Sequence, residues 1–138
     1  MNLLPAHPRD IHAVVIGAGT MGADVAIVLA RGGCRVTVID PSDATRARLQ
    51  PHVLQALTTL GLARRAAAVT AVAALEDAAW DEVALVVECI PEILAMKQAL
   101  FAQLVKLAPA GAVLASNSSS RRACCRATTS RAAKRSSS

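Results

Sequence analysis

Gly17, Ala18, Gly19, Thr20, Met21 and Gly22 stand in the order G-x-G-x-x-G. That spacing suits a turn that carries a diphosphate. Gly17 permits a tight turn, Gly19 lets the backbone approach the phosphates, and Gly22 allows a helix to pack close to a strand. The phosphates would then meet free backbone N–H groups and the positive end of a helix dipole. Such hexapeptides also occur in loops that bind nothing, so the context decides. Asp40 supplies that context, 18 residues beyond Gly22. A carboxylate at that distance can accept hydrogen bonds from the hydroxyls of an adenosine ribose, and it repels the extra phosphate of NADP. Pro41 follows it, where an arginine would welcome that phosphate. NAD is therefore the expected cofactor. The alternative for Asp40 is an N-cap, a role that Ser42 or Asp43 can fill instead.

The elements needed to position these residues are legible in the hydrophobic pattern. Residues 12–16 (HAVVI) form a buried strand that ends at the glycines. Helical spacing over 20–31 puts Met21, Val25, Val28 and Leu29 on one side, and Gly32 and Gly33 stop the helix. Residues 35–39 (RVTVI) are a second strand, closed by Asp40 and Pro41. A helix capped by Ser42 or Asp43 runs towards Leu60, kinked or broken near Gln50 by Pro51. A weaker strand follows at 69–72, and a stronger one at 83–87 (VALVV). Pro91 then suits position N1 of a helix with its stripe at Ile93, Met96, Leu100, Leu104 and Leu107. Residues 112–115 (AVLA) are the last strand. The alternation of strand and helix predicts an α/β fold, a Rossmann-type doubly wound parallel sheet with right-handed crossovers, incomplete at its C-terminal side.

Two further clusters follow strands, at the sheet edge where such folds bind ligands. The first is VECIPEILAMKQALF, with Glu92, Lys97, Leu100 and Phe101; the second is ASNSSS, residues 115–120. With IGAGTMG they resemble the 3-hydroxyacyl-CoA dehydrogenase family, whose NAD domain carries V-E-A-x-x-E-x-x-x-x-K-x-x-L-F and A-S-N-T-S-S blocks. Cys89 replaces the family's alanine and Ser118 its threonine. The resemblance runs roughly from Ala13 to Ser120. It implies that Glu92 and Lys97 contact NAD on the nicotinamide side, that Ser119 lies near both cofactor and acyl substrate, and that Asn117 shares that loop. Read from the residues alone, Glu92 and Lys97 make a solvated helix face and 117–120 a polar turn. The resemblance also implies the reaction: hydride passes from C3 of an L-3-hydroxyacyl-CoA to NAD, with a His–Glu pair as the base, within fatty acid metabolism and β-oxidation. That histidine belongs to an H-F-F-N-P segment absent from this chain, as is the family's helical C-terminal domain. His7, His12 and His52 are not placed to substitute, and the second helix carries Arg46 and Arg48 where the family often uses lysines against CoA. The expectation is a truncated chain, inactive alone, with no catalytic residue of its own.

Composition bounds the rest. The chain has 138 residues, 54% of them hydrophobic, room for one domain with a buried core. Trp80 and Phe101 are the aromatics, which argues against a stacking surface for nucleic acid. The net charge of +5 hides an asymmetry. Six positive charges and no acid fall in the last 18 residues, leaving nine Lys/Arg against ten Asp/Glu before them. Residues 1–10 read as a lead, 11–120 as a partial NAD-binding domain, and 121–138 as a basic tail too poor in aliphatic residues to order itself. A frameshift or early stop would produce such a tail. Cys34 and Cys89 read as core residues, and Cys34, Cys89, Cys124 and Cys125 lack zinc-ligand spacing. No stretch reads as a signal peptide or a membrane span, so a cytoplasmic location is expected. Other readings are a related NAD-dependent dehydrogenase of sugar acids or carnitine, and a non-enzymatic NAD-binding module with a nucleic-acid-associated tail. A last strand left at an uncovered sheet edge would favour self-association.

Overall fold

The computed structural model describes residues 7–116. Five strands, β1 (His12–Ile16), β2 (Arg35–Ile39), β3 (Val69–Val72), β4 (Val83–Glu88) and β5 (Val113–Ser116), form one sheet in the order β3-β2-β1-β4-β5. Every pair is parallel. This is the doubly wound order predicted from the strand–helix alternation, with its switch point between β1 and β4. The three α-helices are α1 (Thr20–Arg31), α2 (Asp43–Thr59) and α3 (Leu94–Leu107).

Alternating side chains divide the core between the two faces of the sheet. Ala13, Val15, Val36 and Val38 pack with Ala23, Ala26 and Ala30 of α1 and Leu49, Val53 and Leu57 of α2. Val14, Ile16, Ile39 and Val86 pack with Trp80 and with Leu104 of α3. Aliphatic side chains fill nearly all of this interior, as a sheet buried on both faces requires.

Three expectations change. The buried face of α1 is Gly22, Ala23, Ala26 and Ala30, while Met21 is 56% and Val28 66% exposed. The glycine turn draws the start of this helix so close to β1 that only small residues fit underneath. A Cβ on Gly22 would lie 1.7 Å from the Gly17 carbonyl oxygen. Next, α2 runs unbroken through Pro51. Both Pro51 and Ala47, whose carbonyl loses its helical partner, are exposed, so water can satisfy that oxygen. Ser42 caps this helix, its hydroxyl oxygen accepting the Thr45 N–H at 3.3 Å. Finally, α3 begins at Leu94 and not at Pro91, with Ile93 and Met96 exposed, Leu104 buried, and Leu100 and Leu107 half-buried. Residues 89–93 stay non-helical to pass beneath the glycine turn, where the Cys89 carbonyl oxygen would lie 2.9 Å from a Cβ on Gly17.

Candidate functional site

The register aligns the C-terminal ends of all five strands. Ile16 pairs with Ile39 and with Glu88, Ile39 pairs with Val72, and Glu88 with Ser116. The ladder continues one step past these ends. Gly17 N–H donates to the Ile39 carbonyl at 2.8 Å, Cys89 N–H to Ile16 at 2.8 Å, and Asp40 N–H to Val72 at 3.0 Å. The glycine turn, Asp40 and the Cys89 loop therefore emerge side by side at one edge of the sheet.

Gly17 has φ +99°, a conformation that glycine adopts without strain. No atom lies within 4 Å of the position a Cβ would take on Gly19, so the backbone there is open to a close approach. Gly22 packs against the turn itself, as well as against Val15. The first amides of α1 lack helical partners by geometry, and no acid stands in its first turn to repel an anion.

Asp40 faces this turn. Its Oδ2 accepts the Ala18 N–H at 2.8 Å, and its Oδ1 accepts the Ser42 N–H at 2.8 Å. The carboxylate is thus fixed on the same side of the sheet as the glycines, while Ser42, and not Asp40, caps α2. The sequence looked for a cation at the next residue and found Pro41. The structure brings one from α2: Arg46 Nη1 donates to the Asp40 carbonyl at 2.7 Å, and Nη2 meets the Asp43 carboxylate.

At the other end of the site, Lys97 is buried, 3% exposed, with Nζ 3.4 Å from Glu88 Oε2 and 3.3 Å from Glu92 Oε1. Glu88 is fully buried; its Oε1 accepts the Ile90 N–H at 2.7 Å and its Oε2 accepts the Ser116 hydroxyl. The solvated-face alternative for Lys97 therefore fails, whereas Glu92 is half exposed. Three elements meet on Glu88: β4, the end of β5, and α3 through Lys97. Sequence reasoning did not single out Glu88, although an acid closing the aliphatic run VALVVE parallels Asp40 closing RVTVI. Burial of such a charge requires a paired cation and hydrogen bonds, and it has both.

A cleft of about 760 Å³ joins the two ends. Gly17, Gly19, Thr20, Met21, Asp40 and Glu92 all line it, with Ile90, Pro91 and Met96. Ala18 faces a smaller depression, with Arg48 and His52, while Gly22 and Lys97 line neither. None of the described histidines lines the cleft. Asn117, Ser119 and the basic segment 121–138 lie outside the described residues. Among the described residues, no group of three or more His, Cys, Asp or Glu is placed to hold a metal ion. No helix among them is long and apolar enough to cross a membrane. A tight glycine turn with open space before it, a carboxylate beside it and a cleft within the usual size of ligand sites are the features that NAD requires.

Parallel strands in this order, with these residues at the switch point, define a dinucleotide-binding Rossmann domain. The NAD-binding-domain model of 3-hydroxyacyl-CoA dehydrogenase matches residues 12–134, and the chain belongs to that family. The match extends past Ser120, where the motif resemblance ends. Over 117 residues, 76% of this chain, it is 41% identical to 3-hydroxyadipyl-CoA dehydrogenase of Escherichia coli K12. It is 36% identical to L-carnitine dehydrogenase of Streptomyces griseus over 121 residues, 83% of the chain. The chain spans 24% and 36% of the lengths of these two relatives. Among solved structures, 3-hydroxybutyryl-CoA dehydrogenase of Escherichia coli superposes with a TM-score of 0.70 at 33% identity, over 80% of this chain and 25% of that one.

Proposed function

We propose that this chain binds NAD as the cofactor-holding part of an oxidoreductase that converts an L-3-hydroxyacyl-CoA to the 3-ketoacyl-CoA. Bound NAD supplies the hydride acceptor. The amides of residues 17–22 receive the diphosphate, and Asp40 accepts the adenosine ribose hydroxyls. Glu92 faces the nicotinamide end, and Lys97 acts through Glu92 and Glu88, holding their carboxylates in place. By the family resemblance, Asn117 and Ser119 also serve cofactor binding, and Ser119 substrate binding. An acyl-CoA substrate and a place in fatty acid β-oxidation belong to the same reading, as does a cytoplasmic setting. The edge position of β5 offers a surface for self-association.

The observation that carries the reading is the Asp40 carboxylate, 2.8 Å from the Ala18 amide at the wall of the cleft. Calorimetry with NAD tests it. Hydrogen bonds to a charged group contribute about 1.5–3 kcal/mol, so Asp40→Ala loses about ten- to a hundred-fold in affinity. Equal affinity in both proteins would refute the assignment. A second reading, a related dehydrogenase of carnitine or a sugar acid, draws support from the S. griseus relative. Calorimetry of acetoacetyl-CoA, set against carnitine, on the NAD-loaded chain separates the two by which of them binds.

A further inference from the structure

We propose that Arg46 is the cation that a 2′-phosphate would meet at this site, so that the Asp40 side chain by itself keeps NADP out. The inference rests on the reading of the cleft as an NAD site. Asp40 directs both carboxylate oxygens to the Ala18 and Ser42 amides. The guanidinium of Arg46 therefore lodges on the backbone carbonyl of the same residue, at 2.7 Å. A negative and a positive group thus stand side by side at the end of β2. Arg46 is only 20% exposed, whereas its acidic partner Asp43 is 92% exposed. An ion pair with one partner so exposed contributes little, so a phosphate can compete with Asp43 for the guanidinium. Thr45, the neighbouring residue on α2, lines the cleft, which puts this turn of the helix at the adenosine end.

Arginine is the side chain best suited to a phosphate, since its planar fork offers several donors to phosphate oxygens. In this fold an acid at the end of the second strand selects NAD, and a nearby arginine admits NADP. This chain has both, the acid directed at the glycine turn and the arginine held on the carbonyl of that same acid. Selectivity is then a contest between the two, and removing the acid leaves the arginine unopposed.

The test measures NAD and NADP binding by calorimetry on the full chain, with circular dichroism to establish that each variant is folded. The variants are Asp40→Ser, Asp40→Ser with Arg46→Gln, and Asp40→Ser with Arg46→Lys. Glutamine keeps a donor for the Asp40 carbonyl without the charge, which guards the turn against collapse. Asp40→Ser is expected to raise the affinity for NADP itself by about tenfold or more, beyond any loss of NAD affinity. Adding Arg46→Gln abolishes that gain, and Arg46→Lys retains most of it. Equal NADP affinity with Arg46 and with Gln at that position, or no gain in Asp40→Ser, would overturn this inference while wild-type binding of NAD left the cofactor reading standing. No binding of either nucleotide to any variant would overturn both.

Discussion

Lys97 shows how one side chain changes meaning once its partners are known. Its spacing from Glu92 reads as an ordinary exposed pair on a helix, yet the ammonium lies buried between Glu88 and Glu92. Taking it away strands the fully buried carboxylate of Glu88, and breaking a buried pair in this way costs about 3–5 kcal/mol. Lys97→Met is therefore expected to unfold at much lower urea than wild type. Adding Glu88→Gln removes the stranded charge and recovers a large part of that loss. If Lys97→Met melted in urea as wild type does, Glu88 would not depend on it. The site in turn depends on this cluster for shape, because Glu88 ties the Cys89 loop to the end of β5 through the Ile90 amide and the Ser116 hydroxyl.

At the scale of elements, β1 and β2 are locked by aliphatic side chains over most of their length and by one polar pair at the opposite end from the cleft. His12 Nε2 lies 2.8 Å from Thr37 Oγ1, and His12 Nδ1 is buried without a hydrogen-bond partner. Burial, and then the Arg35 guanidinium, push the imidazole below its ordinary value of 6.5, with Glu82 pulling weakly upwards. The folded chain thus keeps His12 neutral in a range where the unfolded chain binds a proton. Between the lowered value and 6.5 the unfolded state holds more protons, so stability rises with pH there. It is full above 6.5 and is lost as pH falls through that window. Thermal midpoints at about pH 7.5 and about pH 5 should differ more in wild type than in His12→Gln. Identical acid sensitivity in the two would place its origin in other groups.

At the scale of the molecule, the sheet formed by the described residues has β3 at one edge and β5 at the other. An edge strand presents unpaired backbone donors and acceptors to any matching strand. Light scattering over a concentration series is expected to show a mass rising above the 14.2 kDa of one chain. A mass that stays at one chain throughout would remove this edge as an association surface. The same geometry bears on function, because the Ser116 end of β5 completes the Glu88 cluster.

Strand positions, the glycine turn and Asp40 were all legible from sequence, because they depend on neighbours within a few residues. Aliphatic runs mark strands buried on both faces, and only glycine tolerates the φ of Gly17 or the space at Gly22. The buried face of α1, the continuity of α2 through Pro51, the cation offered by Arg46 and the interior position of Lys97 needed the folded chain. Helical periodicity identifies an apolar stripe at Met21, Val25 and Val28, but the distance between helix and sheet decides which stripe is buried. At the approach forced by Gly22, alanines fit where larger side chains do not. Charges follow the same logic: a lysine can be buried only where carboxylates meet it, and Glu88 and Glu92, though near in sequence, are turned onto Lys97 by the end of β4 and the path of the loop that follows.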